Sequence, residues 1–262
     1  MTTELHTLSE TKLSGFRNML KIENSRWWNP RNILTQSLAW LTSVNFIIAL
    51  PLTVAHMRGE AGAIPFTEVL NIFTGILSVA LALGSVILLQ GTLVGEKQSG
   101  TAAWVLSNPV TRTSFILAKL VSNTVGIMFV GILLQAPVGY ILLSYSNGEA
   151  LPIYPFMIAM GLLALYALFY ITFTLMLGSL FDTRRSILGV AIMFVALQDF
   201  LGDVIGGVIK GFSSILPNRL YEGAALVITE SPLPSIMPIA AAALFTIIFT
   251  GIAIWRFNKA EF

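Results

Sequence analysis

The chain has no cysteine, which excludes disulfides, thiolate metal sites and a cysteine nucleophile and leaves the redox compartment unreadable. Histidine is almost as scarce. His6 and His56 fall in an N-terminal tail and in a loop on the opposite side of the expected membrane, so neither a Ser-His pair nor a histidine metal site is available. Charged residues make up only 11% of the 262, against about 25% in soluble domains. In their place stand hydrophobic residues at 55%, with a mean hydropathy of +0.81. This is the composition of an integral membrane protein. The isoelectric point near 9.0 invites a nucleic-acid reading, but the formal charge is only +2 and the basic residues sit at segment ends. Membrane topology explains that distribution, and no nucleic-acid partner is expected. Met1 to Glu10 is polar and lacks the apolar core and small-residue cleavage site of a signal peptide, so no cleavage is expected.

Crossing about 30 Å of hydrocarbon takes about 20 apolar residues at 1.5 Å each. Six segments qualify: Ile33 to Ala55, Val69 to Val94, Ser114 to Leu143, Phe156 to Phe181, Ile187 to Ile209 and Ile236 to Trp255. The third is long enough to tilt or protrude, and Pro137 is a candidate kink. The expected fold is an all-α integral membrane bundle of six transmembrane helices, with residues 31–262 as the transmembrane domain and residues 1–11 as a cytoplasmic tail.

Between tail and bundle, residues 12–30 form an amphipathic stretch and a turn. Leu13, Phe16, Leu20 and Trp27 share one side of a helical wheel, and Ser14, Asn18, Lys21 and Ser25 the other; Glu23 interrupts the apolar side. Cations beside Trp and Phe suit an interfacial elbow helix in the headgroup layer, in contact with lipid. The alternative is a soluble helix packed on a partner protein. Asn29-Pro30 then turns the chain into the membrane.

Lys12, Arg17, Lys21, Arg26, Arg31, Lys97, Arg112, Lys119, Arg184, Arg185, Arg256 and Lys259 collect on one side, and Arg58, Lys210 and Arg219 on the other. Positive residues favour the inside. Both termini and the Glu96 to Arg112 loop are therefore expected in the cytoplasm, with the protein multi-pass in the plasma membrane.

That loop has internal structure. Charge appears at Glu96 and Lys97, Ala102 to Leu106 offers one short helical segment, and Asn108-Pro109 stops it. The stretch from Gly95 to Leu120 resembles the permease subunits of type-2 ATP-binding cassette (ABC) transporters of the six-span exporter group. In that family a Glu closes the second span, Gly-Thr follows four residues on, and a Leu-Leu-Ser-x-Pro-Val-Ser-Arg-like segment with a later Lys leads into the third. Here those places hold Glu96, Gly100-Thr101, Val105-Leu106-Ser107, Pro109-Val110-Thr111-Arg112 and Lys119, with Thr for Ser at 111. The resemblance implies a cytoplasmic coupling helix between spans two and three that docks on a separate ATPase, through Glu96, Gly100, Thr101, Trp104, Leu106, Pro109 and Arg112. It also implies a second permease copy or a related permease, and a pair of short re-entrant helices between spans five and six, where a plain external loop is the alternative.

No nucleotide site is expected in the chain itself. Gly91, Gly95 and Lys97 superficially suggest a phosphate-binding loop, but only three residues separate the glycines and Glu96 stands where the lysine belongs. ATP and magnesium are expected on the partner ATPase, and this chain is expected to bind no cofactor. Gly91 with Gly95, and Gly202 with Gly206, have small-xxx-small spacing, suited either to a dimer contact or to packing within one subunit. Asp199 and Asp203 lie on one helical face. A carboxylate at mid-membrane costs about 2.5 kcal/mol or more unless paired or hydrated. The pair is thus either a pathway or gating position near the outer end or a pair of headgroup-level residues on a span that ends early. Gln36, Asn45, Gln90 and Gln135 are weaker polar marks that suit helix-helix hydrogen bonds.

The function these features imply is an ATP-driven permease, by family analogy exporting a peptide, lipid, drug-like molecule or glycan precursor. Two rivals remain: a nontransporting membrane anchor or sensor of an ATPase complex, and an intramembrane aspartyl hydrolase built on Asp199 and Asp203. ATP-dependent flux separates the first rival from a permease.

Overall fold

A computed structural model of the chain describes residues 13, 15–60, 62–107 and 109–259, with the side chains at 103 and 106 excepted. The expected tail, residues 1–11, lies outside the described residues. In order the elements are α1 (Phe16–Trp27), α2 (Pro30–Met57), α3 (Phe66–Leu89), α4 (Val94–Gln98), α5 (Thr101–Leu106), α6 (Arg112–Met128), a π-helical turn (Phe129–Leu133), α7 (Gln135–Asn147), α8 (Ile153–Leu180), α9 (Arg184–Val208), a 3-10 turn (Ser213–Ile215), α10 (Asn218–Ile228) and α11 (Met237–Asn258). No strand occurs among the described residues. Six units are long and apolar enough to cross a membrane: α2, α3 with α4, α6 through α7, α8, α9 and α11.

Local chemistry sets the boundaries. Asn29 caps α2 by accepting a hydrogen bond from the Arg31 amide at 3.1 Å, with Pro30 in the first turn, where its missing N–H costs nothing. Thr111 caps α6 and Thr183 caps α9 in the same way, each through the amide three residues on. Gly148, at φ 80°, ends α7 in the left-handed conformation that Gly adopts without a Cβ penalty. The irregularity expected at Pro137 lies earlier. The ladder widens at Phe129–Leu133, where the Leu134 amide donates to the Phe129 carbonyl at 3.0 Å, so a π-turn takes up the distortion just ahead of the proline, which has no amide to donate. Gln135 follows at once. It accepts from Asn45 Nδ2 at 2.6 Å and donates to the Val130 carbonyl at 3.2 Å, pinning the widened turn to α2.

The central pillar is α8, packed by α3, α10 and α11. Its buried face, with Tyr166, Phe169 and Tyr170, meets Phe73, Leu77 and Leu81 of α3, while Phe169 stacks toward Phe194 of α9 and meets Phe249 of α11 edge-on. A second core gathers at the end of the bundle where α1 and α5 lie: Met19, Val94, Phe115, Ile187 and Phe257, with the Phe115 and Phe257 rings stacked at 5.1 Å.

The chain's lack of cysteine makes a topology test direct. Ser107→Cys and Glu149→Cys, both at exposed positions at opposite ends of the spans, are expected to react from opposite sides: an impermeant maleimide on intact cells labels the cysteine at 149 and spares the one at 107. Equal labelling at both would overturn the six-span arrangement.

Candidate functional site

The helix α1 lies along α6, and the face it buries is Met19, Glu23 and Trp27, one turn apart at each step. Of the apolar side read from the sequence, Trp27 is inside and Leu13 half exposed, and Glu23, which looked like an interruption, sits at the centre of the buried face. The reason is opposite it. Lys119 of α6 has a side chain with no exposure at all, and its Nζ donates to Glu23 Oε1 at 2.8 Å and to Glu96 Oε1 of α4 at 2.7 Å. The ammonium also lies 4.8 Å from the centroid of the Phe115 ring. Arg26 closes the group from the surface, 3.2 Å from Glu96 and 3.4 Å from Glu23. Two carboxylates and two cations leave the cluster formally neutral. Removing an ammonium from water costs several kcal/mol, which short charge-assisted hydrogen bonds must offset. The pair of carboxylates supplies them, and in doing so ties three chain segments to one atom.

A parallel link lies one turn further on. Trp27 Nε1 donates to Asn123 Oδ1 at 3.1 Å, and Asn123 Nδ2 donates to the Lys119 carbonyl at 2.7 Å. The indole seats on Gly126, where a Cβ would come within 2.2 Å of the ring. At the start of α1, Gly15 has φ 76° and a Cβ there would meet Val110 Cγ2 at 2.7 Å. Both ends of α1 are thus fitted to the chain on either side of α6.

The α4–α5 arm is anchored at both ends on other spans. Lys97 donates to the Ser179 carbonyl at 3.1 Å and lies 3.6 Å from Asp182, and Gln98 donates to the Asp182 carbonyl at 2.8 Å, so α4 holds the C-terminal end of α8. Arg112 donates to the Phe257 and Asn258 carbonyls at 3.3 and 2.7 Å, at the C-terminal end of α11. Cations are favoured at such ends by the helix dipole. Between the anchors, Gly100 turns at φ 72°, the Thr101 and Ser99 hydroxyls are 2.8 Å apart, and Trp104 on α5 is 71% exposed. Pro109 is exposed. The Leu106 backbone completes α5; its side chain lies outside the described residues. A cavity of about 480 Å³ separates α5 from α1, lined by Asn18, Ile22, Arg26, Trp104 and Val105 among others.

The other residues singled out from the sequence lie apart from this arm or serve it differently. At Gly91 and Gly95 an added Cβ would meet the Arg184 guanidinium at 3.1 and 3.0 Å, so a side chain from the start of α9 occupies that glycine face. Gly202 and Gly206 border Leu216 and Ser213 of the following loop. Helix α9 runs through Asp199 and Asp203, both exposed, to Val208. Asp199 accepts a hydrogen bond from Asn218 Nδ2 at the start of α10. Beside it, Arg219 pairs with Glu222 at 2.7 Å. That bond raises the arginine's pKa, and Asp199 and Asp203 add to the effect.

Glu23, Arg26 and Asn123 escaped the candidate set drawn from the sequence. The available signal was a carboxylate on the apolar side of one amphipathic stretch and a lysine, Lys119, seven residues into an apolar run.

A family model described as ABC-2 family transporter protein matches residues 31–262. No curated protein matches the chain.

The buried cluster fixes a stability ranking. Lys119→Met strands two buried carboxylates and is expected to destabilise the detergent-solubilised protein by about 3–5 kcal/mol, whereas Arg26→Ala, at a half-exposed site, costs under about 1 kcal/mol. Chemical unfolding followed by helical circular dichroism gives both values. Equal losses would mean that the lysine is not the keystone of the end of the bundle.

Proposed function

Since the chain belongs to the ABC-2 family of transporter membrane proteins and so is a permease subunit of an ABC transporter, we propose that its Glu96 to Arg112 loop docks on a separate cytosolic ATPase. The observation that carries this reading is the attachment of the loop. Its first helix shares Lys119 with α1 and α6 through two hydrogen bonds under 3 Å, so a push on α5 reaches the second and third spans together. A solvated loop would yield on its own.

In this reading ATP and magnesium bind on the ATPase, and closure of two ATPase subunits presses on Trp104 and the turn at Gly100. The α1, α4 and α6 segments then move as one body, and the outer ends of their spans part. Such a cycle requires the ATPase to have different affinities for the two arrangements. Two permease chains, this one twice or with a related one, flank the pathway, with both termini on the cytoplasmic side of the plasma membrane and α1 as the interfacial elbow. The α10 helix and the 3-10 turn before it are the re-entrant pair. Export is the direction, and peptides, lipids, drug-like molecules and glycan precursors are the cargo classes. Asp199 and Asp203, on the continuous α9, stand at the outer end of that pathway.

Purification from membranes in a mild detergent tests the docking. The wild-type chain is expected to bring down a nucleotide-binding subunit with ATPase activity, and Gly100→Trp, which places a bulky side chain in the left-handed turn, to lose the subunit or uncouple it while the chain itself still accumulates. If no ATPase accompanies the wild type under conditions that preserve complexes, the loop is not a docking arm. For the outer carboxylates, Asp199→Asn/Asp203→Asn is expected to slow export with assembly intact; unchanged transport would remove both from the pathway.

A further inference from the structure

At the end of the bundle opposite α5, the first turns of α3 and the helix α10 stand side by side without closing. The cavity between them measures about 530 Å³, within the range of roughly 300–1,000 Å³ of small-molecule sites. Each wall is one helix face with polar and apolar residues mixed: Thr67, Leu70, Asn71 and Thr74 on α3, and Tyr221, Glu222, Ala225 and Leu226 on α10 with its C-cap Thr229. Both sets repeat at three- and four-residue steps, which is what one face of each helix presents. Asn71 is exposed and Tyr221 half-buried, and both line the cleft. Packing has therefore left hydrogen-bonding capacity beside apolar surface in one cleft.

The charge around it has one sign in excess. Asp199, Asp203 and Glu222 all act on Arg219, and Asp199 and Glu222 act on Tyr221 of the cleft, so three carboxylates stand against one guanidinium. Of these, Glu222 lines the cleft, and among the described residues its cationic contact is Arg219, itself part-exposed. A cation entering the cleft meets a carboxylate and neutral hydrogen-bonding groups, while its apolar part meets Leu70, Ala225 and Leu226. An anion meets the same neutral groups but is repelled by Glu222, which also holds the neighbouring Arg219.

From this we infer that the cleft between α3 and α10 binds a cationic amphiphile, its protonated amine at Glu222 and its hydrocarbon along Leu226. As a statement about cargo this rests on the permease reading; as a statement about a binding site it does not. The competition for Glu222 gives the test an opposite-sign pair. Removing the carboxylate weakens the site, and removing Arg219 frees the carboxylate and strengthens it. Loss of fold would weaken both.

The full chain in phosphatidylcholine nanodiscs is titrated with a dansyl-labelled undecylammonium and with the matching undecanoate, using empty discs as the background. The expected result is saturable binding of the ammonium alone, weakened about tenfold by Glu222→Gln, the loss of one charge-assisted contact, weakened also by Ala225→Trp, which fills the cleft, and tightened by Arg219→Gln. No saturable binding, equal binding of the carboxylate, or weakening by Arg219→Gln overturns the inference. The copurifying ATPase is assayed on separate preparations, so its absence would remove the permease coupling and leave the ammonium site standing.

Discussion

One ammonium group decides the arrangement of the loop-bearing end of this protein. Lys119 is fully buried in a helix that must also cross a membrane, and its charge is tolerated because Glu23 and Glu96 each come within 3 Å of it. Both carboxylates are themselves almost buried, so none of the three can be solvated instead. The consequence is mechanical. An amphipathic N-terminal helix, the arm after the second span and the first turns of the third span are held to a common point, and Trp27 on Asn123 repeats the connection one turn away. Arg26 adds little by itself at its exposed site, yet it brings the second cation that balances the two carboxylates.

The rest of the bundle extends that constraint without charge. The arm's flanking cations, Lys97 and Arg112, hold the carbonyl ends of α8 and α11, so the packed pillar and the last span meet the same end. Higher in the third span, the π-turn at Phe129–Leu133 and the Asn45–Gln135 bond fix a bend against α2. An interhelical amide pair in an apolar surrounding is worth about 1 kcal/mol.

What could be read from the sequence follows from the range of each interaction. Six spans were legible because hydropathy runs are local, and the ends moved by only a few residues when caps such as Thr111 and Thr183 took their places. The short helix before Asn108-Pro109 was legible for the same reason. Glu23 was not: helical periodicity weighs each side chain as polar or apolar, and the partner that justifies this one is 96 residues away. Gly91 and Gly95 show the same limit. Their spacing marks a face that admits close approach, but the visitor is the Arg184 side chain, which no local pattern announces. Likewise, the spacing of Asp199 and Asp203 marked a shared helical face, but the partner of Asp199 is Asn218, nineteen residues on and again beyond any local pattern.

The central claim is that α1 and the α4–α5 arm move as one body with the third span. The most direct measurement is the spin-label distance between cysteines placed at Lys21 and Ser107, both exposed, in the chain bound to the ATPase proposed as its partner. The account predicts the same narrow distance distribution without nucleotide and with ATP trapped. A distribution that shifts or broadens between the two states would show the arm swinging free of α1 and would contradict it.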